Sequence, residues 1–177
     1  MSVTAEIALN PDKEYEIVAG QPEEKEMGGG RHSGIGSRLL ALLWLHVEAH
    51  QLGGVYGADA SFRIGKNERI PDVAFVSAAR IPPEGEPAGV WPIAPDLAVE
   101  VISPNDLYEK VNAKIAEYFA GGVRQVWLIS PEHRTVTTYY SLTRTEILSE
   151  TDELISEEVV PGFRCRVSEL FKQPAHG

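Results

Sequence analysis

A chain of 177 residues, 43% hydrophobic and 24% charged, has the length and composition of one globular domain. No apolar run approaches the roughly 20 residues that cross a bilayer, and residues 1–10 lack the basic start and apolar core of a secretory signal. Cys165 is the single cysteine, which excludes an internal disulfide and a thiolate zinc cluster. We therefore expect a cytoplasmic protein with no membrane segment.

The acidic residues are unevenly distributed. The formal net charge is −10, and residues 1–30 carry seven acidic and two basic residues, while residues 146–158 carry six acidic residues and no basic one. The rest of the chain is close to neutral, so we predict that the acidity lies away from the functional site. Since no strong basic patch is present, binding to nucleic acid is predicted to be weak and salt-sensitive.

The first half of the chain alternates between predicted strands and one long helix. Ile35, Leu39, Leu42, Leu43 and Val47 recur at helical spacing and predict a helix over residues 32–51, ended by the glycine pair at 53–54. The other predicted features of this half are a short strand at 15–18, a glycine break at 28–30, a bent strand at 55–64 and a strand at 70–76.

The second half begins with five prolines and two glycines in residues 80–95, which predict an irregular exposed loop. A strand over 96–103 then leads into a helix, with Ser103 or Asn105 as its cap, that runs to Ala120. A buried strand at 124–130, an antiparallel pair at 134–140 and 145–148, and a tail at 160–171 that packs on the body complete the order. We predict one α/β domain over 1–177, a mixed sheet flanked by helices, with 1–30 as a peripheral segment.

Two predicted strands carry carboxylates where a sheet would bury hydrocarbon. Because side chains alternate along a strand, Asp96, Ala98 and Glu100 share one face, and Asp72 shares a face with Ala74. If the strands are neighbours, Asp72 and Glu100 approach each other, and two close carboxylates favour a bound cation. Mg²⁺ or Mn²⁺ would suit oxygen ligands and would point to phosphodiester chemistry. Asp96, at the start of its strand, is expected to bond the backbone instead.

The helix after the second strand supplies candidate cations. Its predicted buried stripe is Leu107, Val111, Ile115 and Tyr118. Lys110 and Lys114 lie at the margin of that stripe, from where an ammonium group could reach the carboxylates. Either lysine could stabilise charge at a phosphate or orient a water.

Several stretches, taken in order, resemble one known family. They are Tyr15-Glu16-Ile17-Val18-x-Gly20, Pro71-Asp72, the segment from Pro95 to Pro104, Lys114-x-x-x-Tyr118-x-x-Gly121-Gly122-Val123 and Trp127-Leu128-Ile129. Their order and spacing are similar to those of the Uma-two family, and the likeness extends from Tyr15 to about Leu148. The resemblance implies the restriction-endonuclease-like, PD-(D/E)XK fold and endonuclease activity.

The resemblance also implies roles for individual residues. Asp72 matches the first metal carboxylate and Glu100 the second. The usual lysine two residues after the second acid is replaced by Ile102, and the family places it on the following helix, which selects Lys114, with Lys110 as the alternative. A glutamate and a histidine near the first helix correspond to Glu26 and His32.

We therefore predict a Mg²⁺- or Mn²⁺-dependent endonuclease acting on DNA. Its catalytic residues are Asp72, Glu100 and Lys114, with Glu26, His32 and Lys110 as further candidates, and Asp72 and Glu100 are the metal ligands. Cleavage of both strands needs two sites, so a homodimer is expected. Two alternatives stay open: a catalytically inactive binding or scaffold protein that keeps the nuclease fold, and a metal-dependent hydrolase of a smaller phosphoester.

Overall fold

A mixed β-sheet of six strands lies at the centre of the structure, a computed structural model that describes residues 9–25, 28–103 and 106–175. The strands in chain order are β1 (Tyr15–Val18), β2 (Gln21–Glu24), β3 (Gly53–Gly57), β4 (Phe62–Ile64), β5 (Asn67–Arg69), β6 (Val73–Ser77), β7 (Leu97–Val101), β8 (Gln125–Ser130), β9 (Thr135–Tyr139), β10 (Thr145–Leu148), β11 (Glu153–Ser156) and β12 (Phe163–Arg166). The helices are α1 (Gly30–His50), α2 (Tyr108–Ala120) and α3 (Val167–Leu170), with a single 3-10 turn at Ala78–Arg80.

The central sheet has the order β10-β9-β8-β7-β6-β3, and its one parallel pair is β7 with β8. A parallel pair needs a crossover, and α2 provides it. A second sheet has the order β2-β1-β5-β4, and β11 pairs with β12. The predicted mixed sheet flanked by helices is thus observed. Of the helices described, none combines the length and hydropathy that crossing a bilayer requires.

The two faces of the central sheet bury different residues. On the α1 side the helix packs its apolar stripe against inward residues of β6 and β7: Ile35, Leu39, Leu43, Val47, Val73, Phe75, Leu97 and Val99. On the α2 side, Ile115 and Tyr118 cover small residues, including Ala74 and Ala98. Each large apolar side chain contributes about 2 kcal/mol by burial. Because side chains alternate, Glu100, near the end of β7, falls on the α2 side, whereas Asp72, directly before β6, contacts His32 at the start of α1.

The glycine pair after α1 has a different role from the predicted helix stop. The helix ends at His50, where Gln51 closes it in the left-handed region with φ of 54°. Gly53 and Gly54 instead begin β3. Gly53 has a φ of 147°, and a Cβ there would lie 2.0 Å from the Val76 carbonyl oxygen, so this position needs glycine for strand contact.

The start of α2 also differs from the prediction. The helix begins at Tyr108 after Leu107, with no side-chain cap, so Ser103 does not cap it, and Asn105 lies outside the described residues. Leu107 is exposed and does not belong to the buried stripe. The stripe therefore starts one turn later, at the half-buried Val111.

Three further differences concern packing and pairing. Trp44 is exposed on α1, whereas Trp91, in the proline-rich loop, is buried and stacks on Phe62. The loop is therefore anchored to the second sheet. Strands β2, β5, β11 and β12 were not predicted: β2 and β5 are short and polar, and the alternation in β12 (Phe163–Arg166) spans only four residues. The predicted burial of Phe163, Val167, Leu170 and Phe171 in the tail is confirmed.

Asp96 is a structural carboxylate, as expected. It is fully buried and accepts a hydrogen bond from the Ser77 backbone N–H (2.8 Å), and it pairs with Arg80 at 3.0 Å. Burial alone would raise the pKa of Asp96, but the Ser77 N–H and the Arg80 guanidinium outweigh it and lower the pKa. The ionised carboxylate thus ties β7 to the turn after β6.

Asp96→Asn is expected to lower the free energy of unfolding by about 2 kcal/mol at pH 7, because Arg80 loses its buried partner. A lowered folded-state pKa contributes stability above the unfolded value of about 3.9, and this stability is lost as pH falls through the folded pKa. The difference from wild type should therefore shrink below about pH 4. Urea unfolding at several pH values measures it, with the exposed Asp59→Asn as the control; a difference that does not change with pH would contradict the assignment.

Candidate active site

Asp72 directly precedes β6, and Glu100 lies in the adjoining strand β7. The antiparallel pairing of the two strands ends at Val73, across from Val99, and Asp72 donates its backbone N–H to the Val99 carbonyl oxygen at 2.9 Å. Asp72 is thus fixed beside the residue that precedes Glu100. The side chains of Asp72 and Glu100 are 6% and 15% exposed, respectively, so both carboxylates are largely withdrawn from water. The charge of Asp72 helps to raise the pKa of Glu100, so the two carboxylates act on each other electrostatically.

The Asp72 carboxylate is surrounded by hydrogen-bond donors. Oδ2 accepts the Val101 backbone N–H at 2.7 Å and lies 3.3 Å from His32 Nε2, and Oδ1 lies 3.3 Å from Lys25 Nζ. Burial would raise the pKa of Asp72, but His32, Lys25 and the Val101 N–H outweigh it and lower the pKa. The hydrogen bond with Asp72 in turn raises the pKa of His32. Asp72 is thus held ionised, with a fixed orientation.

The surroundings of Glu100 raise the pKa of its carboxyl group, whereas those of Asp72 lower the pKa of Asp72. Its Oε1 accepts the Tyr118 hydroxyl at 2.5 Å and lies 2.9 Å from Lys114 Nζ. Burial, together with the charges of Asp72 and Glu16, raises the pKa of Glu100 although Lys114 opposes the shift. In the part of the chain that the structure describes, the other oxygen, Oε2, has no hydrogen-bond partner. Glu100 is therefore an under-compensated anion with one oxygen available to a ligand.

Lys114 bridges two carboxylates. Its Nζ lies 2.9 Å from Glu100 Oε1 and 3.0 Å from Glu16 Oε1. Burial would lower the pKa of Lys114, but the two anions outweigh it and raise the pKa, so the group is a fixed cation. Lys110, one turn earlier on α2, is exposed and forms no ion pair among the described residues. Of the two predicted lysines, the fold brings Lys114 to the site and leaves Lys110 outside.

Glu16 and Arg69 belong to this cluster and were not predicted. Arg69 pairs with Glu16 at 2.9 Å and forms two contacts with Glu117, at 3.0 and 2.5 Å. Glu16 also accepts the Ile70 backbone N–H at 2.9 Å, and these neighbours, with Lys114, lower the pKa of Glu16 against the effect of burial. The sequence signal that could have identified Glu16 was a carboxylate inside the short predicted strand at 15–18. The expectation that the acidic N-terminal segment lies away from the site is wrong for Glu16.

Two predicted site residues remain, His32 and Glu26. His32 contacts Asp72 from the first turns of α1. Lys25, which was not predicted, lies on the other oxygen of Asp72. Glu26 lies outside the described residues.

The oxygen donors of the site fit a hard divalent cation. Asp72 Oδ1 has only the 3.3 Å contact with Lys25, and Glu100 Oε2 has no hydrogen-bond partner among the described residues. Neither oxygen accepts a backbone hydrogen bond, so both are available to a ligand. Within residues 9–25, 28–103 and 106–175, no three His, Cys, Asp or Glu side chains are grouped so as to hold a metal by themselves. Mg²⁺ commonly takes one or two carboxylates and completes its shell with water and phosphate oxygens. Two carboxylates therefore fit Mg²⁺ or Mn²⁺ and do not fit a closed zinc site.

Comparison with known proteins agrees with this geometry. A family model named Uma2 and described as "Putative restriction endonuclease" matches residues 4–168. The crystal structure of "a putative nuclease belonging to DUF820" from Anabaena variabilis ATCC 29413 is similar with a TM-score of 0.81 and 25% identity, over 90% of each chain. None of the curated proteins matches this chain. The structural similarity confirms the predicted restriction-endonuclease-like fold.

Proposed function

Because this chain belongs to the Uma2 family of restriction-endonuclease-like proteins, we propose that it is a Mg²⁺- or Mn²⁺-dependent endonuclease that hydrolyses phosphodiester bonds of DNA. One observation supports the proposal: Asp72, directly before β6, and Glu100 of the adjoining strand β7 act on each other electrostatically, and Lys114 Nζ lies 2.9 Å from Glu100. Two carboxylates and a lysine at one strand edge are suited to binding a cation and a phosphate together.

In this proposal Asp72 and Glu100 hold the cation through Oδ1 and Oε2. The cation, when bound, would activate a water and offset the charge of the phosphate. The chain's own contribution is orientation. The Val101 N–H and His32 hold Asp72 Oδ2, and the Tyr118 hydroxyl holds Glu100 Oε1, which leaves Asp72 Oδ1 and Glu100 Oε2 for the cation.

Lys114 acts in this proposal as a fixed positive charge. Its two carboxylate contacts keep it protonated, so it is suited to stabilising the negative charge that develops on the phosphate. A role as a general base would require it to lose its proton, which both anions oppose.

Lys114→Ala is expected to lower DNA cleavage about 100-fold or more, because the developing charge loses the Lys114 ammonium group. Lys110→Ala, on the same helix but exposed, is the matched control and should cleave within about twofold of wild type. Nicking of a supercoiled plasmid in Mg²⁺, in Mn²⁺ and in EDTA measures both. Equal losses in the two variants, or cleavage that persists in EDTA, would contradict the proposal.

The wider biochemical setting belongs to the same proposal. The proposed partner is DNA, with weak and salt-sensitive binding because the sequence carries no strong basic patch. A homodimer would present two sites to the two strands. The cytoplasm is the proposed location, as expected for a chain whose single cysteine forms no internal disulfide.

One observation favours a second candidate, a catalytically inactive nuclease-fold binding protein. Lys25 already pairs with Asp72, and Lys114 with Glu100, so each carboxylate has a cation supplied by the chain. This candidate predicts no cleavage with either metal and unchanged nucleic-acid binding after Asp72→Ala. The plasmid assay, followed by binding to the same DNA, separates the two candidates.

A further inference from the structure

A cleft of about 310 Å³ lies beside Asp72, which forms part of its lining. Lys25, His32 and Asp72 line one end of it. One face of α1 and the end of β3 line the rest, and Glu100 and Lys114 do not line it. We call this space the α1 cleft. Its volume is at the lower end for small-ligand sites, which suits one unit of a polymer rather than a large cofactor.

The α1 face of this cleft leaves both space and free hydroxyl groups. Ser33, Gly36, Ser37 and Leu40 lie on one side of the helix and line the cleft. A Cβ added at Gly36 would meet nothing within 4 Å, so the glycine widens the cleft. Among the described residues, the hydroxyls of Ser33 and Ser37 have no hydrogen-bond partner in the protein. Two hydroxyls one helical turn apart can donate to a phosphate or a sugar oxygen.

Lys25 supplies a cation at the end of the cleft nearest Asp72. Its Nζ lies 3.3 Å from Asp72 Oδ1 and donates to the Ala58 carbonyl oxygen at 3.4 Å. Both contacts are long, and the Lys25 side chain is only 14% exposed, so its ammonium group is withdrawn from water yet weakly paired. Such a group is suited to a phosphate oxygen. Glu14 also lines the cleft and opposes an anion there.

We infer that the α1 cleft binds the nucleotide next to the phosphodiester that is cleaved. Its sugar packs on Gly36 and Leu40, and its phosphate is bound by Lys25 and by the hydroxyls of Ser33 and Ser37. This inference rests on the proposed function, because it places the cleaved bond at Asp72 and the adjoining unit in the cleft. It implies that the enzyme holds a single strand beside the cleaved bond, in keeping with a sequence that carries no strong basic patch.

Binding of a fluorescein-labelled thymidine octanucleotide, followed by anisotropy in EDTA and again with Ca²⁺, tests the inference. Gly36→Leu fills the cleft and should weaken binding about tenfold, while its helix should gain stability because leucine replaces glycine. Gly34→Leu is the matched control: Gly34 is on the same helix, does not line the cleft, and its Cβ would meet only the Arg38 side chain. It should bind within about twofold of wild type.

Glu14→Gln tests the charge argument in the opposite direction. It removes the carboxylate that opposes an anion in the cleft and should tighten binding about two- to threefold at low salt, with a smaller effect at high salt. Wild-type-like binding by Gly36→Leu, or no binding by wild type in either buffer, would overturn the inference. The readout is independent of cleavage. If wild type does not cleave DNA but Gly36→Leu still weakens oligonucleotide binding, the nuclease proposal is refuted and the binding role of the α1 cleft stands. If wild type cleaves DNA but Gly36→Leu binds normally, only the role of the α1 cleft is refuted.

Discussion

Glu100→Gln is expected to abolish DNA cleavage, with a loss of about a thousandfold or more. The amide keeps an oxygen for the Tyr118 hydroxyl but removes the charge that would hold a cation. The same substitution should leave the melting temperature in EDTA equal or higher. The pKa of Glu100 is raised by burial and by neighbouring anions, so its ionised form is unfavourable in the folded state. A loss of activity with no loss of stability is the signature of a functional carboxylate.

The matched control is Glu109→Gln, an exposed carboxylate in the first turn of α2. It removes the same charge from the protein and should change neither cleavage nor melting noticeably. Plasmid nicking and thermal melting of the three proteins measure the effect. Glu100→Gln with cleavage near the wild-type rate would remove Glu100 from the site, and a large drop in its melting temperature would reassign it to a structural role.

Arg69→Met is expected to cost about 3–5 kcal/mol of unfolding free energy, the largest loss of stability that we predict for a single substitution. The Arg69 side chain is 9% exposed and contacts both Glu16 and Glu117. Its removal leaves two largely buried carboxylates without their shared cation. Because Glu16 also contacts Lys114, cleavage should fall as well. Arg69→Lys should recover only part of the stability, since lysine cannot form two parallel hydrogen bonds with Glu117.

Arg63→Met is the control. Arg63 lies on β4, the strand next to β5, and pairs with Glu68 of β5 at 2.8 Å, but its side chain is 50% exposed. Its loss should stay below about 1 kcal/mol. Urea unfolding of the three variants at one pH compares them directly. A cost for Arg69→Met as small as that for Arg63→Met would show that the network contributes little to the fold.

The order of the elements was predictable from the sequence where a strong pattern existed. The apolar stripe at Ile35, Leu39 and Leu43 predicted α1, and the apolar run around Trp127 predicted β8. The predicted role of Gly53 as a helix stop was wrong, because a glycine can either end a helix or permit close packing within a strand. Which of the two applies depends on Val76, a contact that no local pattern encodes.

The candidate site was predictable only within strands that are long enough to alternate. Asp72 and Glu100 could be brought together because alternation fixes a face and the two strands are neighbours in the sequence. Helical spacing placed both Lys110 and Lys114 within reach of the carboxylates, and the choice of Lys114 rested on a family resemblance until the fold placed its ammonium group between two carboxylates. Glu16 was missed because β1 belongs to the second sheet and not to the central one. Glu16 pairs with Arg69, which lies more than 50 residues later in the chain, and no local pattern predicts that contact.

The most direct test of a shared cation site is calorimetric titration of Mn²⁺ into wild type, Asp72→Asn and Glu100→Gln. Each titration is performed alone and with a non-cleavable phosphorothioate oligonucleotide, because phosphate oxygens can complete the coordination shell. We predict that wild type binds Mn²⁺ and that each substitution abolishes binding. Failure of wild type to bind Mn²⁺ even with the oligonucleotide, or binding that survives both substitutions, would contradict a cation held between Asp72 and Glu100.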